Sequence, residues 1–142
     1  MSIASITPYL FFSGRCEEAL RFYEQALGAK IEMIMRYNES PEPAPPGMLQ
    51  PGFETKVMHA SLTIDGIRLM ASDGCDDKSK MEGVQLAISV GTEAEAHQAF
   101  NSLTNGGNVV MPLTETFWSP CFGMVADKFN ITWMIMVPGE QQ

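Results

Sequence analysis

The sequence predicts an α+β fold made of two βαβββ modules. Three observations carry that reading. Strand-like and helix-like patterns run in the order strand, helix, three strands, and then run in that order again. A shift of 78 positions lays the first part on the second without a gap, carrying Leu10 onto Ile88, Phe12 onto Val90, Phe22 onto Phe100, Leu27 onto Asn105, Gly28 onto Gly106 and Ile31 onto Val109. The closing hairpins match as well, residues 67–70 falling on 131–134 once the second turn is allowed two extra residues. A module of this size cannot close a core alone, so the two halves are expected to complete one another.

Residues 3–12, IASITPYLFF, read as a strand in which Pro8 points to an edge or a bulge. Ser13 is the expected cap of the helix CEEALRFYEQAL. Ala19, Leu20, Phe22, Tyr23 and Leu27 give that helix its apolar side, and Glu17 and Glu18 suit its positive end. Gly28 stops it, and KIEMIMRY alternates as a second strand. Residues 38–55, NESPEPAPPGMLQPGFET, hold five of the nine prolines and are neither helix nor strand. An arm of that length is either functional or disordered. VMHASLTI, the turn Asp65-Gly66 and IRLMAS then form a hairpin.

A polar linker at 73–83 follows, so that module one spans 1–72 and module two 84–138 within one domain of 142 residues. VQLAISV reads as a strand, and TEAEAHQAFNSLTN as a helix begun by a capping box of Thr92 and Glu95 and stopped at Gly106-Gly107. NVVMPL is another strand. The close of the chain is an aromatic loop, ETFWSP, a strand FGMVAD, the turn KFN and a last strand ITWMIMV.

Composition removes several classes of function. A net charge of −8 with no Lys/Arg-rich run argues against nucleic acid and against anionic membrane surfaces. The start, MSIASITPYLFF, has no basic segment ahead of an apolar run, so no signal peptide is expected. No apolar run approaches the ~20 residues of a membrane span. Cys16, Cys75 and Cys121 lie far apart without a C-x-x-C, which suits free thiols in a reducing cytoplasm. No glycine-rich phosphate loop appears, so no dinucleotide, nucleoside triphosphate or S-adenosylmethionine site is implied.

TPYLFF, the helix ending FYEQALGA, and ETFW followed by GMVADKFNITWMI resemble the PhnB-like branch of the vicinal oxygen chelate superfamily. That superfamily includes glyoxalase, bleomycin-resistance proteins and extradiol dioxygenases, and some of the branch carry the label 3-demethylubiquinone-9 3-methyltransferase. The resemblance covers nearly the whole chain. It implies a mixed sheet curled into a cup with the helices outside and a ligand within, and it implies a homodimer.

Strand alternation assigns the faces. Val84, Leu86, Ile88 and Val90 should meet a helix, leaving Gln85, Ala87 and Ser89 inward; the 78-residue shift puts Thr7, Tyr9 and Phe11 inward likewise. His59, Ser61 and Thr63 follow on the next strand, then Arg68, Met70 and Ser72 opposite Ile67 and Leu69. Thr132, Met134 and Met136 face in on the last strand, with Trp133 and Ile135 against the helix layer.

By the resemblance, the metal ligands of the superfamily would fall at Thr7 (Pro8 if the strand is bulged), Met70, Gln85 and Met134. None is the His, Asp or Glu that a divalent cation prefers, so no metal and no other cofactor is expected. A non-standard site using His59 and Glu115 stays open. Three readings follow. The first is a small-molecule-binding protein whose cup is lined by Tyr9, Phe11, His59 and Arg68 from module one and Gln85, Trp118, Met134 and Met136 from module two. The second is a lyase, isomerase or dioxygenase-like enzyme using His59 and Glu115 as acid and base. The third is a structural or partner-binding module worked by the proline-rich arm. His97 reads as a surface residue and Cys121, without a basic neighbour, as an inert thiol.

Overall fold

The computed structural model describes residues 1–139. Packing divides the chain into a first unit that ends at Lys80 and a second that begins at Met81. The first holds β1 (Tyr9–Phe11), α1 (Cys16–Leu27), β2 (Lys30–Arg36), β3 (Val57–Ile64) and β4 (Ile67–Ser72). The second holds β5 (Leu86–Ser89), α2 (Glu93–Thr104), β6 (Asn108–Thr114), β7 (Cys121–Ala126) and β8 (Thr132–Val137). Each unit is therefore βαβββ, with a four-stranded mixed sheet of order β1-β4-β3-β2 in one and β5-β8-β7-β6 in the other.

The repeat holds down to individual hydrogen bonds. β1 runs parallel to β4 with Tyr9 opposite Met70, and β5 runs parallel to β8 with Ala87 opposite Met134. The amide of Phe12 donates to the Ser72 carbonyl at 2.9 Å, and the amide of Val90 to the Met136 carbonyl at the same distance. These partners are related by the sequence shift of 78 at the first strand and 64 at the last.

In the first unit, Ala19, Leu20 and Tyr23 on one side of α1 are buried along with Ala60 and Leu62 of β3, which the helix contacts, and with Leu69 and Ala71 of β4. In the second, Ala96, Phe100 and Leu103 recur at helical spacing and bury with Val125, Trp133 and Ile135. Gly28, at φ 67°, ends α1 with its own amide on the Glu24 carbonyl and that of Ala29 on the Tyr23 carbonyl, a Schellman cap. Asp65 and Gly66, at φ 49° and 80°, form the tight β3–β4 turn. The Thr92 hydroxyl accepts the Glu95 amide at 3.1 Å and starts α2 as expected.

Four local expectations are corrected. Ser13 does not cap α1: it sits at φ 53°, outside the extended region a capping residue needs, and its hydroxyl accepts the Ser79 amide. The cap comes instead from Asp73, whose Oδ1 accepts the amides of Gly14 (2.8 Å) and Cys16 (2.7 Å), while Oδ2 accepts that of Val57 (2.8 Å). Residues 3–8 lie outside the first strand: its ladder with β4 registers Tyr9, Leu10 and Phe11, and Pro8 contributes only its carbonyl, which accepts the Met70 amide at 3.0 Å. Val84 is 76% exposed rather than helix-facing, since pairing of β5 to β8 begins only at Leu86. Ile67, expected against the helix, is 68% exposed where it leaves the turn.

The proline-rich arm, residues 38–55, is tied down along residues 73–80. The Tyr37 hydroxyl at its root donates to the Gly74 carbonyl at 2.8 Å, the Gln50 amide donates to the Cys75 carbonyl at 2.8 Å, and Phe53 is buried. Among the described residues, no helix is long and apolar enough to cross a membrane.

Candidate functional site: the open face of the first sheet

With Leu10 and Phe12 turned into the core, alternation leaves Tyr9 and Phe11 on the sheet face away from α1. Register extends that face across the sheet. Tyr9 lies opposite Met70, Met70 opposite Ser61, and Ser61 opposite Met33. One step along, Phe11 lies opposite Ser72, and His59 opposite Met35. The rings of Tyr9 and Phe11 stack with centroids 5.1 Å apart. Reaching diagonally over β4, the Tyr9 hydroxyl lies 2.8 Å from His59 Nδ1. Burial pushes the Tyr9 phenol above its ordinary value, with the Cys16 thiol adding to this and a hydrogen bond to Ser72 opposing it. The phenol therefore stays protonated and able to donate.

Arg68 is exposed on the same face, opposite Thr63, whose hydroxyl donates to Glu32 at 3.2 Å. Ser72 also belongs to this face but is buried. Its hydroxyl donates to the Val57 carbonyl and accepts the Gly74 amide, so it serves the backbone rather than a ligand.

The remaining candidates lie in the second unit. Gln85 precedes β5 and is exposed, as is Glu115 in the loop before β7. Met134 lies opposite Met124, which in turn lies opposite Met111, so three thioether side chains cross three neighbouring strands in one row. Met136 lies opposite Phe122, and Trp118 packs edge-on to Phe122 at 5.5 Å. Tyr9, Phe11, His59 and Arg68 thus share one face of the first sheet, while Trp118, Met134 and Met136 gather around Phe122 in the second. Phe122, Met111 and Met124 escaped the sequence reading; carrying the alternation of the last strand across its hairpin would have found Phe122 and Met124.

The positions where the resemblance puts metal ligands carry a hydroxyl (Thr7), two thioethers (Met70 and Met134) and an amide (Gln85). That donor set does not fit a hard divalent cation. Among the described residues, no group of three or more His, Cys, Asp or Glu side chains is placed so as to hold a metal ion.

A cleft of about 290 Å³ lies at the start of α1, lined by Arg15, Glu17, Glu18, Arg36, Lys56 and Asp73. Its charges are largely spent on one another. Arg36 bonds Glu17 at 2.7 Å, Arg15 bonds Glu18 at 2.9 Å, and Asp73 takes three backbone amides. Such a cleft orders α1 and leaves little charge for a ligand.

Comparison with known proteins agrees with this architecture. The family described as 3-demethylubiquinone-9 3-methyltransferase matches residues 4–136. Protein YjdN of Escherichia coli (strain K12) is 34% identical, over 96% of this chain and 97% of that protein. Among solved structures, PA1353 from Pseudomonas aeruginosa is 38% identical with a TM-score of 0.83, covering 98% of this chain and 100% of that one. A PhnB protein from Bacillus cereus is 29% identical with a TM-score of 0.76, covering 94% and 98%. A glyoxylase/bleomycin resistance protein/dioxygenase domain from Frankia sp. EAN1pec, at 15% identity and a TM-score of 0.65 over 96% and 99%, shares the fold. With its doubled βαβββ fold and a match that spans both units, the chain belongs to the PhnB-like 3-demethylubiquinone-9 3-methyltransferase family, on the glyoxalase/bleomycin-resistance fold.

Proposed function

We propose that the protein binds a small, planar, largely apolar molecule on the open face of the first sheet. Tyr9 and Phe11 form the stacking surface and His59 the polar contact. The observation that carries this reading is the stacked pair itself, 38% and 44% exposed on a strand whose one intervening residue, Leu10, is buried. Stacking geometry of this kind favours flat aromatic partners. Met33, Met35 and Met70 supply adaptable apolar contact beside it.

Methyl transfer, the activity in the family's description, finds no support in the β1–α1 turn. The amides of Gly14 and Cys16, which could receive a cofactor's anionic group at the helix start, are donated to Asp73. The free thiols at Cys16, Cys75 and Cys121 favour a reducing compartment, and the family resemblance favours a homodimer, which sedimentation equilibrium measures directly.

The test is a thermal-shift and calorimetric screen with naphthalene-sized aromatic compounds on the intact chain. A binder should raise the melting temperature, and Phe11→Ala should weaken it several-fold, in keeping with a ring contact of about 0.5–1.5 kcal/mol. Binding undiminished in Phe11→Ala, or no binder at all, overturns the reading.

A further inference from the structure

We infer that Tyr9 is a positioning residue that fixes His59 as a hydrogen-bond donor, so that the open face selects a planar ligand bearing an acceptor oxygen, such as an aryl ketone. This rests on the ligand reading above and names the ligand's chemistry.

Tyr9 and His59 come from strands that do not pair with one another, fifty residues apart, and meet through a side-chain contact of 2.8 Å at Nδ1. A neutral imidazole carries one N–H and one lone pair, and its neighbours decide which nitrogen holds which. The phenol O–H is the donor in this contact. Its burial favours the protonated form, so the phenol has a proton to give. Nδ1 then accepts, and the N–H is at Nε2, the edge of the ring turned away from Tyr9. The same arrangement removes the Nδ1 lone pair from base chemistry. What His59 offers a ligand is a neutral donor beside a stacking surface, with the Tyr9 and His59 rings 5.6 Å apart and the Tyr9 and Phe11 rings 5.1 Å apart. A hydrocarbon could use only the stacking. A ketone of the same shape could use both, and a buried donor left unmatched penalises the ligand that lacks the acceptor.

The test combines long-range ¹H–¹⁵N spectra with binding of two probes of closely similar shape, 2-acetonaphthone and 2-isopropenylnaphthalene, in which a CH2 group replaces the carbonyl oxygen. Spectra are taken near pH 8.5. A His97→Gln variant leaves His59 as the single histidine. The expected result is a pyrrole-type Nε2 and a pyridine-type Nδ1 shifted by its hydrogen bond, with the Nδ1 shift moving to an unbonded value in Tyr9→Phe. The ketone should move the Nε2 resonance and bind about fivefold or more tightly than the hydrocarbon, and that ratio should fall in Tyr9→Phe and vanish in His59→Phe. A pyrrole-type Nδ1 in the unsubstituted pair overturns the inference. Equal binding of the two probes, with the tautomer as stated, overturns the donor role and leaves the stacking site standing. Failure of both probes to bind overturns the ligand reading and the selectivity with it.

Discussion

Asp127 accepts the indole N–H of Trp133 at 2.8 Å on one carboxylate oxygen, and on the other the amides of Phe129 (2.8 Å) and Ile131 (3.1 Å). The carboxylate and the ring are both buried, 3% exposed each. One side chain thus shapes the β7–β8 turn and anchors the largest residue of the second unit's core. The DKF-x-x-x-W pattern that marks the resemblance is accordingly structural.

Asp127→Ala should therefore destabilise the protein by about 3 kcal/mol or more, because each buried donor left without a partner costs about 1–3 kcal/mol. Trp133→Phe, which keeps most of the ring but drops the N–H, should cost less, roughly 1–3 kcal/mol. Urea titration read by far-UV circular dichroism measures both. Asp127→Ala within about 0.5 kcal/mol of the parent would show that the network contributes nothing to stability.

The tertiary cap on α1 separates two residues that the sequence alone confuses. Asp73→Ala removes the acceptor of three backbone amides and should cost about 2–4 kcal/mol. Ser13→Ala, the change that ought to matter if Ser13 were the cap, should stay within about 0.5 kcal/mol. The same denaturation experiment decides it, and the reverse ranking would reassign the cap.

Gly107 is held by space. A Cβ there would collide with the Ala126 carbonyl oxygen and crowd the Asp127 backbone, because the chain after α2 runs directly against the end of β7. Gly107→Ala should cost more than 2 kcal/mol, since the obstruction is backbone and cannot turn aside. Gly47→Ala meets nothing within 4 Å and bears only the strain of its φ of 82°, so its cost should be near 1 kcal/mol. Melting temperatures of the two variants give the comparison.

How much of this was legible in the sequence depends on whether neighbours in space are neighbours in the chain. The Asp65-Gly66 turn, the Thr92–Glu95 cap and the Gly28 stop are local devices, and each reads directly. The doubled fold was legible because the same order recurs, at a shift of 78 through the first strand and helix and of 64 at the closing hairpin. The face carrying Tyr9, Phe11, His59 and Arg68 followed from period-two alternation on three strands. What escaped was non-local. Nothing near Ser13 announces that Asp73, sixty residues on, will take the amides of Gly14 and Cys16. Nothing in VMHASLTI shows that the His59 ring will meet the Tyr9 hydroxyl, since that contact skips over the strand lying between them. Val84 and Ile67 alternate correctly yet stay exposed, because a pattern marks a face without saying how far the covering elements reach.

The thiol of Cys16 gives the protein an alkaline liability. It is fully buried, and that burial, reinforced by the charges of Asp73 and Glu17, pushes its ionisation far above the ordinary thiol value of about 8.5. In the unfolded chain it ionises near the ordinary value. The group's contribution is thus fully present below pH ~8.5 and declines above it, as the unfolded state alone releases its proton, by up to ~1.4 kcal/mol per pH unit until the folded value is reached. Cys121, raised by burial and by Glu93, acts in the same sense. The window between pH ~8.5 and ~10 isolates these thiols, because the Tyr9 and Tyr37 phenols are themselves raised by burial and their unfolded counterparts ionise only near pH 10. Unfolding free energy should fall across that window, and Cys16→Ala should flatten the fall while lowering stability at pH 7 by roughly 1 kcal/mol for the lost sulfur contacts. Chemical labelling offers an independent check: in the native state, Cys75, the half-buried thiol, should react first, with Cys16 protected until the protein unfolds. A Cys16→Ala variant with an unchanged alkaline slope, or rapid native labelling at Cys16, would remove the buried thiol as the source of the pH dependence.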